Sequence, residues 1–336
     1  MKEAYFYEKK GNAKVCCRVC PHNCLIPESG SGICGVRQNR GGVLFSLVYD
    51  KVIAEHIDPI EKKPLYHFLP GSRSYSIATA GCNFTCRHCQ NADISQLPRH
   101  SGAIFGQERT PEAIVAAASA AGCASISYTY TEPTIYYELA FDTAKRAAKK
   151  GIKNVFVSNG YINPEPLAEI SPYLHAANID LKGYSEDFYH AVCGAKLQPV
   201  LDTIQLYKKL GIWIEITTLV IPGLNDSPGT IASIAEFIAG VGIEIPWHVT
   251  AFHPTYRMTD KPPTPAQTLL LARDIGLKAG LRYVYTGNIS GIEGENTHCP
   301  ACGTAVIERS GFSITRHRIE NGQCRKCQGS CDGIFS

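Results

Sequence analysis

Residues 82–89 read Cys82-Asn83-Phe84-Thr85-Cys86-Arg87-His88-Cys89, placing three cysteines in one compact loop. Thiolates hold iron-sulfur clusters, with one cysteine per iron in the usual [4Fe-4S] cube, so a loop with three leaves one iron without a protein ligand. An open iron can bind a molecule that is not protein, and chemistry can occur there. The competing reading is a zinc knuckle or a set of unrelated thiols. Zinc sites usually pair two C-x2-C units, and this loop has no second pair beside it.

Outward from the loop, residues from Ser74 to about Asn288 alternate short β-branched runs with amphipathic stretches, as repeated βα units of a parallel sheet do. Strands are predicted at Tyr75–Thr79, Ser125–Thr131, Asn154–Ser158, Ala177–Leu181, Trp213–Ile221 and Trp247–Phe252. Helices are predicted at Pro111–Ala121, Ile135–Lys150, Glu165–Tyr173, Pro199–Leu210, Thr230–Ile238 and Pro265–Ala279. Thr110-Pro111 puts a capping hydroxyl before a first-turn proline, and Gly122, Gly151, Gly211 and Gly280 stand where helices end. Six units are too few for an eight-stranded barrel, so the expected fold is α/β, a partial (β/α)6 TIM-like barrel. Its function should gather at the C-terminal strand ends. The expected plan is a cysteine-rich segment at 1–71, the partial barrel at 72–288 and a zinc-ribbon-like segment at 289–336.

Composition narrows the class. The chain has 336 residues, enough for one large domain with small attachments, and a net charge of +3 that makes no case for nucleic acid. No apolar run reaches the roughly 18 residues of a membrane span, and Met1-Lys2-Glu3-Ala4-Tyr5 opens without an apolar signal region. The expected location is the cytoplasm. There, 15 cysteines argue for metal or cluster ligation rather than disulfides. They fall in three groups, with Cys123 and Cys193 alone. Cys123 reads as packing; Cys193 reads as buried structure or as a hydrogen-atom donor facing the cavity.

The flanking groups differ in pattern. Cys299-Pro300-Ala301-Cys302 and Cys324-Arg325-Lys326-Cys327 are paired knuckles at four-cysteine ribbon spacing, so structural zinc is expected, with Cys331 left over as a possible competitor. In the N-terminal group Cys17, Cys20, Cys24 and Cys34 are the expected ligands, and zinc and a second Fe-S cluster both remain open.

The predicted strand ends carry polar residues. The second ends in Tyr128-Thr129-Tyr130-Thr131-Glu132, the third in Val157-Ser158-Asn159-Gly160, the fourth in Asn178-Ile179-Asp180-Leu181-Lys182, the fifth in Val220-Ile221-Pro222-Gly223 and the sixth in Phe252-His253. Strand alternation puts Asp180 and Lys182 on one face. Glu132 has the alternative of a helix first-turn acid favoured by the dipole, and Asp180 with Lys182 that of a structural ion pair.

The C-x3-C-x2-C spacing and these residues in this order resemble the radical S-adenosylmethionine (SAM) superfamily, and taken with Cys20-Pro21-His22-Asn23-Cys24 and the C-terminal cysteines the whole chain resembles the radical SAM member of the AmmeMemoRadiSam system, related to pyruvate formate-lyase activating enzymes. The resemblance implies that Cys82, Cys86 and Cys89 hold a [4Fe-4S] cluster whose open iron chelates SAM. One-electron cleavage would then give a 5′-deoxyadenosyl radical that removes hydrogen from a substrate the resemblance does not identify. It implies that Glu132 meets the methionyl amine, that Ser158, Asn159, Asp180, Lys182 and His253 line the SAM pocket, and that Lys182 also serves catalysis. Tyr130-Thr131 stands where the wider superfamily often has two glycines. Val157 stands where the activating enzymes have an aspartate associated with a monovalent cation, so no such site is expected. An electron donor such as flavodoxin or ferredoxin is implied, with Memo-like and AMMECR-like proteins as associates. The alternatives are an activase that installs a glycyl radical on a partner protein and a non-catalytic iron-sulfur electron carrier or sensor.

Overall fold

The computed structural model describes residues 1–289 and 293–336; residues 290–292, near the start of the expected 289–336 segment, lie outside the described residues. The main sheet begins with β1 (Lys51–Pro59), continues through β2 (Arg73–Thr79), β3 (Ser125–Tyr128), β4 (Lys153–Ser158), β5 (Ala176–Asp180), β6 (Trp213–Val220) and β7 (Trp247–Ala251), and ends at β8 (Val284–Gly287). β2 to β8 are parallel and lie side by side in chain order, while β1 runs antiparallel to β2. The sheet is open: β8 ends it on one side, and the short strand Gln107–Glu108 beyond β1 ends it on the other. A partial α/β barrel therefore stands, with a correction to the (β/α)6 expectation: β8 is an additional parallel strand after the six predicted.

The six predicted helices form with ends shifted by a few residues: Pro111–Ala120, Tyr137–Lys149, Pro164–Ile170, Gln198–Lys209, Pro228–Val241 and Ala266–Lys278. The first shows why. Thr110 Oγ1 accepts from Ala113 N at 3.2 Å, satisfying an amide that has no helical partner, and Pro111 has no amide to satisfy. The outer faces of the strands and inner faces of the helices make one apolar core that includes Ile126, Phe156, Ile179 and Ile216.

Segment 60–69 closes the N-terminal end of the barrel. Glu215 on β6 accepts from the amides of Tyr66 at 2.9 Å and His67 at 2.8 Å, and Asn178 Nδ2 on β5 donates to Pro64 O at 2.7 Å. Buried carboxylates persist when satisfied in this way. The C-terminal segment braces that floor: the His67 ring nitrogens meet Asp332 O and Tyr285 Oη, both at 2.6 Å, and the Arg309 guanidinium donates to Tyr66 O at 2.8 Å. The floor is thus filled, and the C-terminal strand ends are left for function.

At the N-terminus two small antiparallel sheets form, Lys2–Glu3 with Val43–Ser46 and Arg37–Arg40, and Tyr7–Lys9 with Val15–Cys17 and Leu25–Ile26. They are fastened to helix Tyr137–Lys149 by a fully buried ion pair, Arg37 Nη2 to Glu138 Oε2 at 2.7 Å. At the C-terminus Thr297–His298, Ala305–Ser310 and Ser313–His317 form another antiparallel sheet. Among the described residues no helix is long and apolar enough to cross a membrane.

Candidate functional site

The cysteine loop leaves the C-terminal end of β2 and docks along the turn Tyr189–Cys193. Thr85 N donates to Cys193 O at 2.8 Å and Arg87 N to Val192 O at 3.0 Å, so two loop amides between the cysteines are satisfied by backbone. Gly194, at φ +69°, ends that turn, and a Cβ there would collide with Thr85 Oγ1. Close approach of loop and turn therefore requires glycine in the left-handed region.

The three thiols meet different surroundings. Cys82 Sγ accepts from Phe84 N at 3.4 Å. Cys89 Sγ lies 3.2 Å from Ser95 Oγ. Cys86 is buried, and the neighbouring Cys193 thiol together with burial pushes its pKa well up, against the pull of the Lys182 ammonium. Cys193 is itself fully buried.

One polar network forms on the Cys82 side. Glu132 is buried, and Oε1 accepts from Thr134 N at 3.0 Å, Thr134 Oγ1 at 2.7 Å and Ser158 Oγ at 2.9 Å, while Oε2 accepts from Asn159 N at 2.8 Å. Burial raises its pKa, and those donors oppose the rise. Glu132 thus caps the helical turn Pro133–Tyr136 from the N-cap position, not as an acid within its first turn, and ties β3 to β4. Asn159 Nδ2 continues the network to Asn83 Oδ1 at 2.8 Å and lies 3.9 Å from Cys82 Sγ.

A second pair faces Cys86. Lys182 Nζ donates to Asp180 Oδ2 at 2.8 Å. Burial opposes the Lys182 charge, yet the Asp180 carboxylate and the Cys86 and Cys193 thiols hold its pKa well above the ordinary lysine value. His253 lies apart from both groups. It is exposed beyond β7, with Nε2 3.0 Å from Asn288 O.

Two residues escaped the sequence reading. His88, between Arg87 and Cys89, is 4% exposed, and its Nδ1 is buried with no hydrogen-bond partner. Burial drives its pKa down to about 3, so the ring is neutral. Asn83 links Asn159 to the cysteine loop and donates to Tyr161 O at 2.9 Å. Each had one signal in sequence, its place between two cysteines of the loop.

The flanking cysteines form two distinct groups. Sγ atoms of Cys299, Cys302, Cys324 and Cys327 converge within 4.8 Å of one another, and Cys331 is buried beside Cys299 and Cys324 without joining them. Cys17, Cys20, Cys24 and Cys34 line one cavity with His22, Arg37 and Asn83. Cys123 is buried in the core.

Residues 76–238 match the radical SAM superfamily. An uncharacterized protein of Methanocaldococcus jannaschii is 48% identical over 338 residues, covering 100% of both chains. The pyruvate formate-lyase-activating enzyme of Clostridium pasteurianum is 23% identical over 183 residues, 51% of this chain and 71% of that one. Among solved structures, Streptococcus suis SuiB bound to precursor peptide SuiA superposes with a TM-score of 0.52 at 15% identity, covering 69% of this chain and 52% of that one, a likeness of fold.

Proposed function

The chain belongs to the radical SAM superfamily and is an enzyme, and from that premise we propose that Cys82, Cys86 and Cys89 hold its [4Fe-4S] cluster and that it abstracts hydrogen from an organic substrate. The observation that carries the proposal is the clustering of buried polar groups around one three-thiol loop at the C-terminal strand ends. The residues fit the group. One loop offers three thiols, and the buried Nδ1 of His88 beside them has no protein partner. When bound, the cluster and SAM supply one-electron cleavage of the sulfonium to a 5′-deoxyadenosyl radical.

The chain's own residues position and shield. Lys182, kept charged by Asp180, places a cation beside Cys86 and a donor where a carboxylate or hydroxyl of SAM would bind. Oε1 of Glu132 is fully engaged, so Oε2 is the oxygen left to accept from an ammonium, in line with the role the resemblance implies. Ser158 and Asn159 hold that carboxylate in place. Exposed His253 touches neither group, and its place beside SAM rests on the resemblance alone. The segment over the barrel floor blocks water from the far end, and radicals survive in a site that excludes side reactions.

A protein substrate is the second reading, favoured by kinship with activating enzymes. Flavodoxin or ferredoxin suits the electron requirement, and Memo-like and AMMECR-like proteins remain candidate associates from the AmmeMemoRadiSam resemblance. The C-terminal cage suits one tetrahedral zinc, whose four sulfurs lie about 3.8 Å apart when each Zn–S bond is about 2.3 Å; Cys299–Cys327 at 3.6 Å and Cys302–Cys324 at 3.9 Å agree. The test is anaerobic: reduce the reconstituted protein with dithionite, add SAM and assay 5′-deoxyadenosine. Product from wild type and none from Cys86→Ala supports the proposal; a loaded cluster that neither binds nor cleaves SAM leaves the electron-carrier or sensor reading.

A further inference from the structure

We propose that Cys17, Cys20, Cys24 and Cys34 hold a second [4Fe-4S] cluster, built against the cysteine loop of the first. The four residues come from the strand Val15–Cys17, the turn after it and the loop before Arg37–Arg40, and they wall one cavity. Neighbouring Cys16 is not among its walls; its thiol donates to Asn23 O at 3.4 Å instead. Strand alternation sends consecutive side chains to opposite faces, which separates Cys16 from Cys17.

Sulfur spacing distinguishes the candidate occupants. A single zinc needs its four ligands in a tight tetrahedron, and the C-terminal cage has that spacing. Among the described residues, no three of the N-terminal thiols converge within the same 4.8 Å, although all four line one space. Wider spacing is what a cube requires, because each thiolate binds a different iron.

The second observation is Arg37. Its guanidinium lines the cavity and is 1% exposed. Nη2 pairs with Glu138 and Nε donates to Ile135 O at 3.3 Å, but Nη1 is buried with no partner. An orphaned buried cationic N–H is costly. The sulfides and thiolates of a cluster would accept from it, and its charge favours the ionised thiols that ligation needs.

The cavity shares a wall with the first site. Asn83, next to Cys82 in the chain, lines it, and His22 Nε2 lies 2.8 Å from Asn83 O. A cluster here would thus lie against the Cys82 loop itself, with Asn83 of that loop in its wall.

The test counts metals in the full chain after anaerobic reconstitution, with iron, sulfide and zinc assayed together. Wild type is expected to carry about eight iron, eight sulfide and one zinc, and the Cys82→Ala/Cys86→Ala/Cys89→Ala variant to keep about four iron with an EPR signal that SAM does not alter. Cys20→Ser/Cys24→Ser should lose about four iron and keep the SAM-responsive signal. About four iron with two zinc in wild type, or a triple variant that holds its zinc and no iron, overturns the proposal. Because iron is counted independently of catalysis, a protein that carries both clusters yet never cleaves SAM would defeat the proposed function and leave this site standing.

Discussion

Tyr130, in the turn after β3, passes through the left-handed region at φ +62° with its phenol donating a hydrogen bond to Asp58 near the end of β1. A bulky residue rarely adopts this conformation, which a glycine takes freely. Here the conformation is held from outside. Lys63 Nζ lies 2.6 Å from Asp58 Oδ2 and 4.4 Å from the centre of the Tyr130 ring, and Asn91 Nδ2 donates to Tyr130 O at 2.8 Å. Burial disfavours the charged Asp58, yet Lys63, Tyr130 and Lys62 hold its carboxyl well below the usual range. The turn that aims Glu132 is therefore fixed by Asp58 at the end of β1 and the lysines just beyond it rather than by glycines. Tyr130→Phe should cost about 1 kcal/mol of stability through the lost hydrogen bond. Urea unfolding checks this; no change would mean that Lys63 alone holds the turn.

His67 makes the barrel floor sensitive to acid. Burial lowers its pKa to about 4, with the Glu215 carboxylate opposing. The unfolded chain, with a histidine near 6.5, binds a proton in this window that the folded chain refuses, so stability falls as pH drops from about 6.5 towards about 4. Above the unfolded pKa the effect vanishes. Across the window wild type should lose up to about 1.4 kcal/mol more per pH unit than His67→Asn. Anaerobic denaturation at pH 7 and pH 5.5 compares the two; parallel slopes would remove His67 as the source.

The C-terminal cage should brace that same floor. Cys302, with its thiol brought down to about 6 by the Thr304 hydroxyl, is the member poised to ionise first. Cys327→Ser should lower zinc per chain and the melting temperature, since the segment carries Arg309 and Asp332 onto Tyr66 and His67. Iron at the Cys82 loop should stay. A Cys327→Ser protein with unchanged zinc would show that Cys331 takes its place as ligand.

Much of this was legible in the chain. β2 to β7 announce themselves through β-branched runs ended by polar residues, and Thr110-Pro111 marks its helix because local chemistry alone decides a cap. β8 was hidden: Val284-Tyr285-Thr286-Gly287 is a short strand whose pairing with β7 is decided by packing. β1 was hidden too, since Lys51–Pro59 mixes charged and apolar residues without clean alternation and gains its place from register with β2. The site divided in the same way. The three-cysteine loop and the pairing of Asp180 with Lys182 were readable from spacing. The unpartnered nitrogens of His88 and Arg37 exist only once the chain has folded around them.

Lys182 offers the sharpest separation of structure from chemistry. Its ion pair with Asp180 is partly exposed, with Asp180 at 35%, and such pairs contribute about 1 kcal/mol or less. Lys182→Met should therefore melt close to wild type and keep its iron. It should still lose at least about tenfold in 5′-deoxyadenosine formation, because about 1.4 kcal/mol of a positioned cation's effect on the reacting groups is enough for that. Asp180→Asn is the counterpart, since it leaves the ammonium beside Cys86 and should lose less. Equal losses in the two variants would place the requirement in the pair rather than in the lysine, and a Lys182→Met enzyme at full rate would remove Lys182 from the SAM pocket.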